Sequence, residues 1–394
     1  MGSIQQSFSV KFSYSVQFTE NVFLPENEAL SDILASDNHP GPKKALFIVD
    51  DGVSRHHPKL IEQIKAYAKA HEGTIGICGE PIIIPGGEAC KNDIGVFEET
   101  IEAINHHGID RHSYIIAIGG GAVLDLVGYA ASVAHRGIRH VRIPTTVLSQ
   151  NDSGVGVKNG INAFGKKNFL GTFAPPVGVI NDHSFLTTLD IRDWRSGIAE
   201  AIKVSLIKDA EFFEFIKSNA EKLISRDLSI MQELIYRCAK LHLDHISGGD
   251  PFEQGSSRPL DFGHWASHKL ECLTKYDIRH GEAVAVGICL DSVYSNLSGL
   301  LSKTELDEIL SLIRKIGFQV YFPELSQNLG NPINQNSLLS GLNEFREHLG
   351  GKLTVMLLKQ IGQGIEVNEM DFDTIIKSIN LLKSYQIQSE LRSA

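Results

Sequence analysis

The sequence predicts an α/β domain with a mostly parallel sheet, followed by an all-helical domain. In the first half, short apolar runs that end in Asp or Gly alternate with segments of helical period, as in parallel sheets covered by helices on both faces. After about residue 185, long helical periods dominate. A chain of 394 residues has room for two domains at roughly 100–200 residues each. We therefore expect domains at 1–185 and 186–394.

The first half of the sequence predicts strands that alternate with helices. Residues 8–18 alternate apolar and polar side chains, which predicts an edge or hairpin strand. Residues 20–42 look like a loop that ends in Pro40-Gly41-Pro42. The strands expected next are 45–49, 81–84, 114–118 and 141–143, and the helices between them are 58–71, 93–106 and 122–134. This alternation is typical of an open Rossmann-like sheet.

The second half contains one expected strand, 352–358, among helices. The expected helices are 194–208, 211–224, 228–246, 264–274, 281–297, 303–316 and 371–385. This half of the chain is therefore predicted to be a helical domain.

Composition limits the possible partners and location. The net charge of -10 argues against a nucleic-acid partner, which needs a basic face, but it permits a small phosphorylated substrate in a basic cleft. The sequence has neither an apolar run of about 18 residues nor the apolar core of a secretory signal, so we expect no membrane partner. Five cysteines without a C-x-x-C pair favour reduced thiols and a cytoplasmic protein.

The glycines Gly119, Gly120 and Gly121 close a predicted strand and open a predicted helix, with Asp125 in its first turn. Glycine lets the backbone approach a pyrophosphate, and the helix N-terminus supplies N–H donors. A tight turn without a ligand is the alternative. Just after the second strand, Glu88 could bind a ribose and Lys91 a phosphate, unless this is only a solvated loop.

A metal site is suggested further along the chain. His264 and His268 are four residues apart on one predicted helix, and His280 follows. Two imidazoles and a carboxylate are a common set for catalytic zinc, so Glu200, His264 and His280 are the candidate ligands, with His268 left as acid or base. Glu200 and Lys203 could instead form a surface ion pair, and the histidines could be ordinary core or surface residues.

Cationic and amide side chains are scattered through the middle of the chain. They are Arg136, Lys158, Lys167 with Asn168, and Arg258. Each of these taken alone is as consistent with surface charge as with an anion site.

Taken together and in this order, the segments resemble the 3-dehydroquinate synthase superfamily of sugar phosphate cyclases. The matching stretches are G-E-A-C-K (87–91), G-G-G-A-V-L-D-L-V-G (119–128), H-R-G-I-R-H-V-R-I-P-T-T (135–146), D-S-G-V-G-V-K (152–158), G-K-K-N-F-L-G-T-F (165–173), A-E-A-I-K (199–203), R-P-L-D-F-G-H-W-A-S-H (258–268) and H-G-E-A-V (280–284). Eight collinear matches span residues 45–360 approximately. They imply the fold of that family.

The resemblance also implies roles for individual residues. NAD contacts fall on Asp51, Glu88, Lys91, Gly119, Gly120, Gly121, Asp125, Thr145, Thr146, Lys167 and Thr188; Asp51 is preferred to Asp50 by alignment. The metal, Zn or Co, falls on Glu200, His264 and His280. The substrate phosphate falls on Arg136, Lys158, Asn168 and His268, and the substrate is lined by Lys203, Asp152, Arg258 and Asp261. Arg136 is expected to cross from a partner subunit, so the resemblance implies a homodimer.

The implied reaction regenerates its cofactor in each turnover. The metal polarises a substrate hydroxyl, which favours loss of hydride to NAD. The new ketone acidifies the adjacent carbon, so phosphate leaves, and the substrate phosphate itself can take the proton. NADH then returns the hydride, and an aldol step closes the ring.

Departures from the family pattern bear on the substrate. Dehydroquinate synthases carry a Lys seven residues before the Asp of D-x-x-E-x-G, where this chain has Leu243, and Lys240 is about one helical turn away. They carry Asn where this chain has Asp261, and a Lys pair where it has Arg346-Glu347. The loss of a residue that holds the substrate carboxylate, together with the gain of an acidic side chain, favours a substrate whose corresponding end is a neutral polyol. The chain therefore resembles sedoheptulose 7-phosphate cyclases of the epi-valiolone synthase type.

Three alternatives remain from the sequence. One is 3-dehydroquinate synthase itself, acting on the keto-acid phosphate of the shikimate route. Another is a metal-dependent polyol dehydrogenase, against which the residues at 136, 158, 167–168 and 203 speak. The third is a non-catalytic binding paralogue.

Overall fold

The computed structural model describes residues 3–36, 39–255 and 259–393; the side chains of His348 and of residues 388–393 lie outside that description. The chain forms two compact units. One comprises residues up to Thr145 together with Gly156–Phe185, and the other comprises Thr146–Val155 and the chain from Leu186 onward. The chain thus passes into the second unit at residues 146–155 and returns to the first unit at Gly156. The predicted division at residue 185 assigned residues 146–155 to the first domain.

The sheet of the first unit contains seven strands. The strands of the whole chain are β1 Ser15–Thr19, β2 Lys43–Asp50, β3 Ile75–Ile77, β4 Ile82–Ile84, β5 Tyr114–Gly119, β6 Arg139–Pro144, β7 Lys158–Ala163, β8 Lys166–Phe173, β9 Gly178–Asp182, β10 Val355–Gln360 and β11 Gln363–Val367. The sheet order is β1-β9-β6-β5-β2-β3, with β4 also paired to β2, and every pairing is parallel. The predicted parallel α/β sheet is confirmed.

Both units contain helices, and helices make up most of the second unit. The helices are α1 Ala29–Ala35, α2 Asp51–His56, α3 Leu60–Ala70, α4 Ile94–His106, α5 Gly121–Val133, α6 Ile191–Lys208, α7 Ala210–Ser218, α8 Ala220–Ile224, α9 Leu228–Ser247, α10 His264–Leu273, α11 His280–Leu297, α12 Lys303–Ile316, α13 Ser340–His348 and α14 Phe372–Ser393. The predicted helical second half is confirmed, and none of the described helices has the length and apolarity needed to cross a membrane.

Several predicted elements were wrong in extent. Only residues from Ser15 onward of the segment 8–18 form a strand, because its partner β9 offers five residues for pairing. The predicted loop 20–42 contains α1, whose Leu30 and Leu34 are fully buried. The predicted helix 211–224 breaks into α7 and α8 at Asn219. The predicted strand 352–358 is one arm of the hairpin β10–β11.

The apolar runs of the central strands are explained by burial on both faces. Phe47 and Val49 of β2 pack on one side of the sheet with Tyr67 of α3. Leu46 and Ile48, the alternate residues of the same strand, pack on the other side with α5. Because a strand directs successive side chains to opposite faces, a doubly covered strand needs an unbroken apolar sequence.

The segment 146–155 packs tightly on α6. It contains a π-helical turn at Ser149–Ser153, and the Asn151 Nδ2 group donates a hydrogen bond of 2.8 Å to the Gly197 carbonyl. A Cβ on Gly197 would lie 2.5 Å from the Val147 side chain, so only glycine allows this approach. The packing holds Asp152 beside the helical cluster described next.

Candidate active site

The structure brings the three predicted metal ligands together. Glu200 on α6, His264 on α10 and His280 on α11 present ligand atoms that all lie within 4.8 Å of one another. The ring centroids of His264 and His280 are 5.6 Å apart. This set combines α6 with the consecutive helices α10 and α11, which follow much later in the sequence, and its role as a ligand set stays a prediction.

Glycines allow these three helices to converge. Gly263, with φ +75°, precedes α10 directly, and a Cβ on it would lie 2.6 Å from the Gly287 backbone of α11. A Cβ on Gly281 would lie 2.3 Å from the Ser196 carbonyl of α6. Contacts this short are closed to any side chain, so the two glycines fix where His264 and His280 begin their helices.

Glu200 is fully buried, and this raises its pKa to about 7, although the neighbouring charge of Lys203 works to lower it. Lys203 pairs with the Glu200 Oε1 atom, three residues away on the same helix. Among the described residues, the Oε2 atom has no hydrogen-bond partner. A buried oxygen without a partner is costly, and a divalent cation is one group that would satisfy it.

His264 is in the protonation state that a metal ligand needs, and the Lys203 ammonium group lies next to it. Burial lowers the pKa of Lys203, but Glu200, Asp152 and Asp261 raise it by more, so the ammonium stays charged. The pKa of His264 lies well below its usual value, because the ring is buried and next to Lys203, whose Nζ is 3.5 Å from Nε2. A neutral imidazole is the form that binds metal.

Glu271, which the sequence analysis missed, lies beside His280. Its Oε2 atom is 3.2 Å from His280 Nδ1, and the residue is buried. A carboxylate on the far nitrogen of a metal-binding imidazole fixes the ring orientation. The ring of His268 is 5.1 Å from that of His264 and 5.9 Å from that of His280, so it lies beside the cluster as expected.

A second missed residue, His242 of α9, lies between two carboxylates. Its Nδ1 atom is 3.2 Å from Asp152 Oδ1, and its Nε2 atom is 3.7 Å from Glu200 Oε1. The only sequence signal was a histidine on the apolar face of α9, four residues after the buried Cys238. Of the remaining substrate-lining candidates, Asp261 accepts a backbone hydrogen bond from His264, and Arg258 lies outside the described residues.

The first unit places its predicted cofactor residues at the ends of its strands. Asp50, the last residue of β2, is buried and caps α2 by accepting hydrogen bonds from Gly52 and Val53. Asp51 is partly exposed, accepts a hydrogen bond from Gly86 N at 3.0 Å and pairs with Arg55. Asp51 is thus more exposed than Asp50, and its predicted contact with a ribose stays a prediction.

The glycine turn joins β5 to α5. A Cβ on Gly119 would lie 2.9 Å from the Val123 side chain and 3.0 Å from that of Asp50, so a larger residue would force these neighbours to shift. Gly120 caps α5, which begins at Gly121, and the Gly119 carbonyl accepts a hydrogen bond from Thr145 N. The first-turn N–H groups of α5 are the donors that a pyrophosphate would use.

Lys91 links the predicted cofactor and phosphate residues of this unit. It is buried, donates a 2.8 Å hydrogen bond to Asp125 Oδ2 and contacts Asn168 Oδ1. Glu88 accepts a hydrogen bond from Asn162, whose Oδ1 atom in turn accepts one from Asn168 N. The neighbouring Cys90 is a buried thiol whose pKa is raised to about 12 by burial, so it is not a nucleophile.

Lys158, Lys167 and Asn168 lie on the hairpin β7–β8, which the sequence analysis missed. The base of this hairpin is held by Arg142, a fully buried residue of β6 that donates to the Gly156 and Lys158 carbonyls and to Asn159 Oδ1. Arg136 is exposed, with φ +64°. Thr146 and Thr188 belong to the second unit, and their predicted contact with a dinucleotide stays a prediction.

Comparison with known proteins identifies the family of this chain. Residues 81–196 match the family model of the 3-dehydroquinate synthase N-terminal domain, and residues 197–337 match that of its C-terminal domain. The 3-dehydroquinate synthase of Nitrosospira multiformis is 36% identical over 307 residues, which cover 78% of this chain and 80% of that protein.

A second relative carries another name. The 2-epi-5-epi-valiolone synthase of Streptomyces hygroscopicus subsp. jinggangensis is 31% identical over 353 residues, covering 87% of this chain and 81% of that protein. The solved structure of ValA, the 2-epi-5-epi-valiolone synthase of that organism with NAD+ and Zn2+ bound, superimposes with a TM-score of 0.84 at 30% identity, covering 97% of this chain and 100% of that one. The chain therefore belongs to the 3-dehydroquinate synthase family of sugar phosphate cyclases, whose members are NAD- and metal-dependent enzymes that close a ring with elimination of phosphate.

Proposed function

We propose that this chain converts sedoheptulose 7-phosphate to an epi-valiolone-type cyclitol with loss of phosphate, and that it uses NAD and one divalent metal, Zn²⁺ or Co²⁺. The observation that carries the proposal is the convergence of Glu200, His264 and His280 beside Lys203. The resemblance to a 2-epi-5-epi-valiolone synthase solved with NAD+ and Zn2+ supports both the cofactors and the substrate class.

The residues present fit the metal. A buried carboxylate with one unsatisfied oxygen and a neutral imidazole have ligand atoms within 4.8 Å of each other and of His280, and Glu271 contacts the far nitrogen of His280. Three protein ligands leave a position open for substrate. When bound, the metal lowers the pKa of a substrate hydroxyl and favours hydride loss to NAD.

The chain's own residues bind and orient the substrate. Lys203 keeps its proton, so its ammonium group can donate hydrogen bonds to substrate oxygens. Asp152 and Asp261 add carboxylates that accept hydrogen bonds from sugar hydroxyls. In the first unit, the first turn of α5 would hold the NAD pyrophosphate and Asp51 its ribose.

Three residues support a polyol rather than a keto-acid substrate. At the family's lysine position stands Leu243, and the nearby Lys240 is exposed and paired with Asp244 at 2.5 Å. Asp261 lies close enough to Lys203 for its charge to raise the pKa of that lysine. The carboxylate of a keto-acid substrate would meet the Asp261 carboxylate without a cation dedicated to holding it.

The test is to supply the purified enzyme, with NAD and Zn²⁺, separately with sedoheptulose 7-phosphate and with the keto-acid phosphate used by 3-dehydroquinate synthase. We expect phosphate release from the first only, with a cyclitol identified by NMR. The 36% identical relative makes 3-dehydroquinate synthase the second candidate, and turnover of the keto-acid alone would establish it instead. Accumulation of NADH would indicate a polyol dehydrogenase, and bound NAD without zinc a binding protein.

Substitution of Asp261 tests the substrate choice from the protein side. With sedoheptulose 7-phosphate, we expect Asp261→Asn to lower kcat/KM about tenfold, the equivalent of one hydrogen bond to a charged group. Asp277→Asn, a change of the same type elsewhere in the helical unit, is the matched control. Unchanged kcat/KM in Asp261→Asn would show that this residue does not contribute to binding of the sugar phosphate.

A homodimer and a cytoplasmic location belong to the same proposal. Arg136 is exposed and is the residue expected to cross to a partner; all five cysteines are free thiols. We expect sedimentation to give a dimer. Mixing Arg136→Ala with Lys203→Ala subunits should restore activity that neither variant has alone, because a mixed dimer contains one intact site. Full activity of Arg136→Ala by itself would show that this residue does not serve a partner's site.

A further inference from the structure

His242 is a buried histidine at the end of an apolar face. On α9, the residues Met231, Leu234, Ile235, Cys238 and Ala239 form the buried side of the helix, and His242 continues that line. Only 7% of its surface is exposed. Burying an imidazole costs free energy unless its ring nitrogens have polar partners. The polar groups near these nitrogens therefore indicate the role of His242.

Both ring nitrogens face carboxylates with roles in the proposed reaction. Nδ1 is 3.2 Å from Asp152 Oδ1, within hydrogen-bond distance, whereas Nε2 is 3.7 Å from Glu200 Oε1, an electrostatic contact longer than a hydrogen bond. Asp152 arrives from the segment 146–155, Glu200 from α6 and His242 from α9. The imidazole is therefore the group that joins three separate stretches of the chain at the cluster.

We propose that His242 is a positioning residue, which holds Asp152 towards the substrate through Nδ1 and the Glu200 carboxylate through Nε2. The proposal rests on the proposed function, in which Glu200 binds the metal and Asp152 lines the substrate. Outer partners of metal-binding carboxylates set their orientation, and their loss weakens metal binding about 10- to 100-fold. The side of Glu200 opposite to this contact is free to face the ion.

A second cation between Asp152, Glu200 and His242 is the competing explanation, since their ligand atoms also lie within 4.8 Å of one another. Lys203 argues against it. Its ammonium group pairs with Glu200 Oε1, the same oxygen that faces His242, and its charge also acts on Asp152. An ion placed there would have to share Glu200 Oε1 with the Lys203 ammonium group.

Two isosteric substitutions separate the two contacts. Asparagine places its amide near the position of Nδ1, and glutamine places its amide near Nε2. We expect His242→Asn to keep the wild-type KM while zinc affinity falls at least about tenfold. We expect His242→Gln to keep zinc affinity while KM for sedoheptulose 7-phosphate rises. His242→Leu should lose both.

The measurements are zinc affinity of the metal-free protein, by competition with a chromogenic chelator, and kcat and KM of the reconstituted enzyme. His106→Gln, the same change at an exposed histidine of α4, is the control and should match wild type. The proposal would be overturned if the Asn and Gln variants behaved alike. Both would then match wild type, or both would lose zinc affinity and raise KM in parallel with a lower unfolding temperature. Two zinc ions per chain, reduced to one in His242→Leu, would replace it by the cation site.

The two proposals fail in different ways. If wild-type protein binds zinc but releases no phosphate from any sugar phosphate, the proposed function fails, while the chelator competition still tests the contact between His242 and Glu200. If wild type turns over and the Asn and Gln variants do not separate zinc affinity from KM, only the role of His242 fails.

Discussion

The helical unit and the sheet unit build their candidate sites from different materials. In the helical unit, long charged side chains such as Glu200 and Lys203 are buried almost completely and neutralise each other. In the sheet unit, the site consists of strand ends, the turn at Gly119–Gly121 and backbone N–H groups, with carboxylates such as Asp51 left partly exposed. The candidate site of the helical unit thus consists mainly of buried charged side chains, and that of the sheet unit mainly of closely packed backbone.

This difference sets what each site costs. Buried charges are tolerated only while every partner is present, so removing one leaves a large penalty. A backbone cradle carries no such penalty, but it excludes any added atom. Substitutions should therefore reduce stability most in the helical cluster, and in the sheet unit they should act mainly through steric fit and NAD affinity.

The largest effect is expected for Glu200→Ala. Loss of a ligand should lower zinc affinity by more than about 100-fold and turnover by about 1000-fold. Because Lys203 is left buried without its carboxylate, the free energy of unfolding of the metal-free protein should fall by about 3–5 kcal/mol. Zinc content and urea unfolding measure both effects.

Glu200→Gln is the matched control, because it keeps the volume and a hydrogen-bond acceptor for Lys203. It should lose zinc while losing less stability than Glu200→Ala. Stoichiometric zinc in Glu200→Ala would show that the ion, if bound, is held elsewhere.

The next effect concerns Asp291 of α11, another buried charge of the helical unit. Burial raises its pKa to about 7, although hydrogen bonds from Trp265 Nε1 and Gly263 N work to lower it. Since the unfolded carboxyl titrates near pH 4, the folded state holds the proton more tightly, and stability should fall as pH rises from about 4 to 7 and then level off. The linkage limit is about 4 kcal/mol.

Comparison with Asp291→Asn isolates this contribution, because the other titrating groups are shared. We expect the difference in unfolding free energy between wild type and Asp291→Asn to change in favour of the variant between pH 5 and pH 7.5. A difference that does not vary with pH would mean that Asp291 has an ordinary pKa.

A smaller effect is expected in the sheet unit for Gly119→Ala. The added Cβ would lie 2.9 Å from Val123, so about 1–3 kcal/mol of stability should be lost, with weaker NAD binding. Gly73 has open space and an ordinary backbone conformation, so Gly73→Ala should change stability by less than about 0.5 kcal/mol. Thermal unfolding with and without NAD compares them, and equal effects would contradict the steric argument.

The smallest effect on stability is expected for Asp51→Asn, because its ion pair with Arg55 is largely exposed. NAD affinity should nevertheless fall about tenfold if Asp51 binds the ribose. Asp50→Asn should show the reverse, with lower stability from the damaged α2 cap and a smaller change in NAD affinity. Fluorescence titration with NADH distinguishes the two, and a larger loss of affinity in Asp50→Asn would reverse the assignment.

Sequence patterns predicted the structure correctly where a residue type has one dominant structural use. The apolar runs located β2, β5 and β6, and the spacing of His264, His268 and His280 picked out helices that the structure does bring together. Glycine at 119–121 marked the turn between β5 and α5, where Gly119 is tightly packed against Val123 and Asp50. These signals are local, so a linear sequence preserves them.

Other features depend on contacts that sequence spacing does not encode. His242 acquires its role only through Asp152 and Glu200, which lie far away along the chain, and Glu271 acquires its role through His280, which is nine residues away on the next helix. The hairpin β7–β8 was missed because its second strand is largely exposed and lacks an apolar pattern. The alternation in residues 8–14 was misleading, because a strand needs a partner edge as well as a pattern.

The excursion of residues 146–155 has a practical consequence for dissecting this protein. A fragment that begins at residue 186 would lack Asn151, which binds the Gly197 carbonyl, and Asp152, which faces His242. Chimaeras with homologous cyclases should therefore exchange this ten-residue loop together with the C-terminal portion of the gene. A single crossover at residue 185 would combine a loop from one parent with helices from the other.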